Sequence, residues 1–168
     1  MGFNKKYLFL ANNNNTMEQD DNNMIERQEK FLETICQTEM VWALEKEDGF
    51  ATASSINFED EEGEPAEVLC FWSSKELAQA CSKDDWEGYT PIEIPLTDFI
   101  ENWCIGMDND LIMAGIEFDD ELAGNEEDPL ELILEINEVL QKLNKKIQLQ
   151  NYKSMSDLAD EVTKILEN

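Results

Sequence analysis

Apolar residues recur along the chain with two different periods. Phe31, Leu32 and Ile35 form a helical stripe that predicts a first helix from about Met24 to Gln37. Asn23 stands as its N-cap, and Glu26 at the third helical position completes a capping-box-like start. Val41 to Leu44 then reads as a strand, Glu47-Asp48-Gly49 as a turn, and Phe50 to Ile56 as a second strand, so this stretch predicts a β-hairpin. Val68-Leu69-Cys70-Phe71-Trp72 is apolar on both faces, the pattern of a central strand. Ser73-Ser74-Lys75-Glu76 opens a second helix with a Ser-x-x-Glu box, and that helix runs to about Cys81. Ile92-Glu93-Ile94 alternates as a half-buried strand does, and Pro95 ends it. Thr97 is the expected cap of a third helix carrying Phe99, Ile100, Trp103 and Cys104, with Gly106 as its end.

Leu111 to Ile116 is a further apolar strand. Asp128-Pro129-Leu130-Glu131 starts a fourth helix with an acidic cap and proline at the first position, and its stripe is Leu130, Ile133, Leu134, Val139, Leu140 and Leu143. A short strand, Ile147 to Leu149, follows. Ser154 then caps a fifth helix that buries Leu158, Val162, Ile165 and Leu166. Strands and helices mix without a strict β-α-β alternation. The expected fold class is therefore α+β, a single domain with a largely antiparallel sheet of about five strands flanked by about five helices. Residues 1–22 are expected to be a disordered polar leader. Residues 23–168 form the domain, with 119–168 as a helical C-terminal extension of a core at 23–118.

Charge changes the picture. The chain has 168 residues, 39 acids, 12 bases and no histidine, for a formal charge of −27. From Glu47 to Gln141 there are 27 acids and two bases, Lys75 and Lys83, a net of −25. The rest of the chain holds 12 acids and 10 bases, a net of −2. Two runs are densest, carry turn residues and read as exposed loops: Glu59, Asp60, Glu61, Glu62, Glu64 and Glu67, and then Asp119, Asp120, Glu121, Glu126, Glu127 and Asp128. Such a charge offers no footprint for a nucleic-acid backbone and repels an anionic membrane. It suits solubility, or a docking face for a basic protein partner. Lys142, Lys145 and Lys146 gather near the end of the fourth helix, where the helix dipole favours cations.

The missing histidine removes Ser-His-Asp and Cys-His chemistry and imidazole metal sites. With 39 acids, paired carboxylates arise by chance, so pairing in sequence carries no weight. Asp119 to Leu130 fails as a calcium loop: Gly124 fits the sixth position, but Ala123 and Leu130 stand where oxygen ligands are required. Asp108-Asn109-Asp110 is too short for one. Cys36, Cys70, Cys81 and Cys104 sit among apolar neighbours with no C-x-x-C pair, as buried free thiols of a reducing cytoplasm do, and their spacing argues against zinc. No phosphate-binding glycine loop and no Gly-x-Ser-x-Gly elbow are present. No catalytic, cofactor or metal residue is expected.

Trp42, Trp72 and Trp103 read as core. Trp86 and Tyr89 lie in a polar connection, either as semi-exposed partner contacts or as an anchor closing over the core. At the N-terminus, Lys5-Lys6 and the apolar Tyr7 to Ala11 fall short of the h-region of a secretion signal, and Met17 is an alternative translation start. No run is long enough to span a membrane.

Val41-Trp42-Ala43-Leu44, Phe71-Trp72-Ser73-Ser74 with Ala78, Trp86-Glu87-Gly88-Tyr89-Thr90-Pro91, and Ile94-Pro95-Leu96 with Phe99 and Trp103 together form a pattern over about residues 25–118. This pattern resembles a small bacterial family catalogued only as domain of unknown function 2750. The resemblance implies an α+β domain and core tryptophans, and it carries no activity, cofactor or site residue. The expectation for function is a non-enzymatic protein-binding module, an immunity- or antitoxin-like inhibitor, monomeric or homodimeric. Its acidic surface would be Glu59, Asp60, Glu61, Glu62, Glu64, Asp119, Asp120 and Glu121, with Trp86 and Tyr89 as contacts. The alternatives are an adaptor whose charge serves solubility alone, and a carboxylate- or metal-dependent enzyme.

Overall fold

A computed structural model of the chain describes residues 8–9 and 18–168. In order, the elements are β1 (Leu8–Phe9), α1 (Glu18–Thr38), β2 (Met40–Lys46), β3 (Gly49–Phe50), β4 (Thr52–Glu59), β5 (Pro65–Phe71) and α2 (Lys75–Ala80). A 3-10 turn (Asp84–Trp86) and β6 (Thr90–Pro95) follow. Leu96–Asp98, the π-helical Phe99–Cys104 and Ile105–Asp110 then run on as one helix, here α3. The chain ends with β7 (Met113–Ile116), β8 (Asn125–Glu127), α4 (Pro129–Lys142) and α5 (Met155–Glu167). The fold is α+β, as the patterning predicts.

The strands divide between two sheets rather than forming one. The first has the order β1-β4-β5-β7-β8 and the second β3-β2-β6. Every pairing is antiparallel except β5 with β7, where Val68 lies beside Met113 and Phe71 beside Ile116. The predicted hairpin forms only as far as Phe50. At Ala51 the chain leaves the first partner for the second: the Ala51 N–H donates to Leu44 O, while Ala51 O accepts from the Cys70 N–H. Alternation of side chains along Phe50 to Ile56 cannot register a change of hydrogen-bond partner, so the pattern hides this switch. A reciprocal bridge between Trp42 and Trp72, both N···O distances 2.8 Å, joins the sheets a second time.

β5 is central, as its two-sided apolarity requires. Phe71 faces one core with Phe31, Ile35, Phe99, Ile133 and Ile136, covered by α1, α3, α4 and α5. Val68, Cys70 and Trp72 face a second core with Ala78, Trp86 and Phe118, covered by α2 and the 3-10 turn. Gly115 on β7 is packed so closely that an added Cβ would come within 2.8 Å of Val68 Cγ1 and 2.9 Å of Phe118 Cε1.

Several expected boundaries shift. α1 begins at Glu18, so Asn23 and Glu26 lie inside the helix instead of capping it. Of the leader expected to be disordered, residues 1–7 and 10–17 lie outside the described residues, as does Met17. Leu8–Phe9 pair with Phe58–Glu59, and Glu18 to Asn22 belong to α1. Ser74, not Ser73, caps α2, because the Ser73 hydroxyl is taken by Glu117. α3 has no side-chain cap at Thr97: it starts at Leu96, whose N–H donates to Glu39 O. It runs through Gly106 to Asp110 and ends at Leu111 in the left-handed conformation, φ 61°. Nothing crowds Gly106, and a glycine inside a helix weakens it without stopping it. Ile147 and Leu149 form no strand but are buried against the helical core.

Asp128 and Ser154 cap α4 and α5 as predicted. Asp128 Oδ1 accepts from the N–H groups of Leu130 and Glu131, and Ser154 Oγ accepts from that of Asp157. Among the described residues, no helix is long and apolar enough to cross a membrane.

Candidate functional site

The two acidic runs do not share a face. The first leads into β5 and the second follows β7. Because those strands run parallel, the runs lie at opposite ends of the sheet, roughly 20 Å apart at about 3.3 Å per residue. Each run is organised by its first aspartate in the same way. Asp60 Oδ1 accepts from the N–H groups of Glu62 and Glu64, and Asp119 Oδ1 from those of Glu121 and Ala123. These two carboxylates build turns, which is the ordinary work of a short acceptor side chain. Asp120 pairs with Lys83 at 2.7 Å, and the lysine holds its carboxyl below the usual range. Glu61, Glu62, Glu64 and Glu121 remain exposed.

Trp86 is 3% exposed and cannot contact a partner. Its indole packs edge-on against Trp72 at 5.8 Å and donates to Thr52 O, which makes it the anchor over the second core. Tyr89 is half-buried, with Lys46 Nζ 5.7 Å from its ring centre. All four cysteines are buried free thiols, and burial pushes the Cys36 thiol up to about 12.

A groove that the sequence did not announce lies where α1 meets β8 and the middle of β4. It encloses about 600 Å³ and is lined by Met24, Ile25 and Leu32 together with Glu29, Glu126 and Glu135. Two large apolar side chains stand at this region of the surface, Ile25 at 56% exposure and Ile56 at 76%. Ile56 is presented by a distortion of β4 between Ser54 and Glu59. Glu126 sustains that distortion: its carboxylate accepts from the Ser55 hydroxyl at 2.9 Å, the Ile56 N–H at 3.0 Å and the Asn57 N–H at 3.1 Å. Glu126 lies opposite Gly115 in the β7–β8 register.

On the other face of β8, Glu127 meets Glu135 of α4. Gln28 Nε2 of α1 donates to both carboxylates, at 2.8 Å and 2.9 Å. Burial and the neighbouring Glu135 raise the Glu127 carboxyl to about 8, and burial raises Glu135 as well. The pair therefore holds a proton near neutral pH. Asn125 ties β8 to α1 through Met24 O and Gln28 Oε1, both at 2.8 Å. Arg27 of α1 reaches Ala123 O, while Asp120 and Glu121 line a separate cleft with Lys83, so of the second acidic run only Glu126 lines the groove. Among the described residues, no three His, Cys, Asp or Glu side chains gather as a metal-ligand set.

Sequence reasoning missed Gln28 and Glu135 and placed Glu126 and Glu127 in an exposed acidic loop rather than on a half-buried strand, since nothing in a single sequence tells a glutamate facing solvent from one turned inward.

In comparison with protein families, the model described as "Protein of unknown function (DUF2750)" matches residues 28–136 of the 168-residue chain. It reaches past the second acidic run and well into α4. No curated protein and no solved structure matches the chain.

Proposed function

The chain belongs to the DUF2750 family, and from that premise and the geometry of the groove we propose that it is a non-enzymatic module that docks a basic, partly apolar segment of a protein partner. The observation that carries this reading is the joint exposure of Ile25 and Ile56 beside a groove rimmed by Glu29, Glu126 and Glu135. An apolar centre with a rim of one sign of charge gives contact area and steers a complementary partner. The negative field of the whole chain adds to the on-rate of any cationic partner. An inhibitor of a nucleic-acid-binding protein fits this chemistry, because its target surface is basic by necessity. Within this reading Asp119, Asp120, Glu121 and Glu59 to Glu64 contribute only to the long-range field and solubility, and Trp86 and Tyr89 belong to the fold.

The test is site-specific photo-crosslinking from position 56 in the producing cell, followed by mass spectrometry. The reading requires one basic adduct that is lost in an Ile25→Asp variant and weakened at high salt. Adducts of no particular charge, unchanged by Ile25→Asp, would overturn it. A carboxylate enzyme is the weaker reading, since the shared-proton pair is bonded to Gln28 at the edge of the groove and no metal-ligand set gathers among the described residues.

A further inference from the structure

A second cavity, opposite to the groove in charge, lies between the end of α4 and the start of α5. It encloses about 900 Å³, a volume typical of small-molecule sites. Leu140, Ile147 and Met155 are buried along it and give it an apolar floor. Lys145, Lys146 and Lys153 line it, and none of its lining residues is acidic, although acids outnumber bases in the chain by 39 to 12.

The three lysines are not equivalent. Lys145 Nζ donates to Cys36 O, Gln37 O and Glu39 Oε2, so it fastens the end of α1 and is committed to the fold. Lys146 and Lys153 are exposed and have no ion pair among the described residues. The dipole of α4 accounts for a cation at Lys146. It does not account for Lys153, which stands one residue before the Ser154 cap of α5, at that helix's positive end, where a cation is disfavoured. Two exposed ammonium groups beside a positive helix end, with no ion pair among the described residues, are free to take an anion at the mouth of the cavity.

We infer that this cleft binds a small phosphate monoester carrying an apolar body: Lys146 and Lys153 take the phosphate, and Leu140, Ile147 and Met155 pack against the rest. A phosphate monoester is close to a dianion at neutral pH, which matches two ammonium groups. The amides of Asn144 and Gln148 line the same cleft and supply neutral donors and acceptors. The net charge of −27 repels polyanions at long range, so the ligand is small rather than a nucleic acid. The cleft begins at Asn137, immediately beyond the residues 28–136 that match the family, and is independent of the groove and of its proposed partner.

The experiment is an NMR titration of the ¹⁵N-labelled full chain with phenyl phosphate, inorganic phosphate and sodium chloride at matched ionic strength. Phenyl phosphate produces saturable shifts confined to residues 137–156 and binds more tightly than inorganic phosphate. Lys146→Ala and Lys153→Ala each weaken it about tenfold, the effect of one lost charge-assisted hydrogen bond, while Lys75→Ala, at a distant exposed lysine, leaves it unchanged. Shifts that sodium chloride reproduces, shifts spread over Lys75 and Lys83, or binding that survives the Lys146→Ala/Lys153→Ala double variant would each overturn the inference. Equal affinity for phenyl phosphate and inorganic phosphate would overturn the role of the apolar floor.

Discussion

Glu127 and Glu135 are bridged by one amide: the side-chain nitrogen of Gln28 donates to Glu127 Oε2 at 2.8 Å and to Glu135 Oε2 at 2.9 Å. The two carboxylates come from β8 and α4, the donor from α1, so one shared proton helps hold three elements together. Glu131 and Glu138 add further negative charge around the pair from α4.

The pH dependence of stability follows from this arrangement. The folded-state pKa of Glu127, about 8, lies above the ordinary value of 4.5, so the folded state binds a proton that the unfolded state has released. This contribution is fully present below the ordinary carboxylate value and is lost as pH rises through about 8. Asp120 has the opposite sign, and its contribution is lost only on acidification below the carboxylate range. Urea midpoints should therefore fall between pH 5 and pH 9. Glu127→Gln keeps the contact with Gln28 but cannot ionise. It should raise stability by about 1 kcal/mol at pH 9 and leave pH 5 nearly unchanged.

Glu126 should matter more to stability than its surface position suggests. Removing its carboxylate in Glu126→Ala leaves the Ser55 hydroxyl and the Ile56 N–H without their acceptor and the Asn57 N–H with Ser55 Oγ alone. The expected cost is about 2–3 kcal/mol, with faster hydrogen exchange at Ile56 and Asn57.

Glu101 is the buried charge of the first core, 7% exposed. Its carboxylate accepts from the Gln150 N–H at 3.0 Å and the Asn151 N–H at 2.7 Å, fastening the segment ahead of α5 to the π-helical turn of α3. Glu101→Gln should cost about 2 kcal/mol, and its amide exchange should quicken at Gln150 and Asn151 before the rest of the chain.

Trp86→Ala should destabilise by about 3–5 kcal/mol, a cavity cost that no exposed contact residue would show. Trp86→Phe keeps an aromatic ring against Trp72 but loses the donor to Thr52 O, and should cost about 1 kcal/mol beyond the change in packing. Thermal denaturation of the two variants separates the anchor role from a partner-contact role.

What the sequence disclosed follows from which signals are local. Caps such as Asp128 and Ser154 were legible because a cap is written within four residues, and β5 was legible as central because its apolarity is two-sided. The strand switch at Ala51 was hidden, since residues 50–56 keep one pattern while changing partner. The end of α3 was hidden because Leu111, and not a glycine, takes the left-handed conformation there. The candidate site was hidden for a related reason. Its carboxylates lie among 39 acids, and only the crossing of β8 by α1 and α4 turns Glu127 and Glu135 inward while Glu61 and Glu62 stay in water. Two of the residues chosen from sequence as a docking face, Asp60 and Asp119, are turn acceptors, a role that density of charge alone conceals.

The most direct test of the docking account is a ¹⁵N NMR titration with a synthetic amphipathic peptide that alternates leucine and lysine faces, at low and physiological salt. The account predicts saturable shifts at Met24 to Leu32, Ile56 to Asn57 and Asn125 to Glu126, weakened by salt and abolished by Ile56→Asp. Shifts centred on Glu61 and Glu62, with the same affinity in the Ile56→Asp chain, would contradict it.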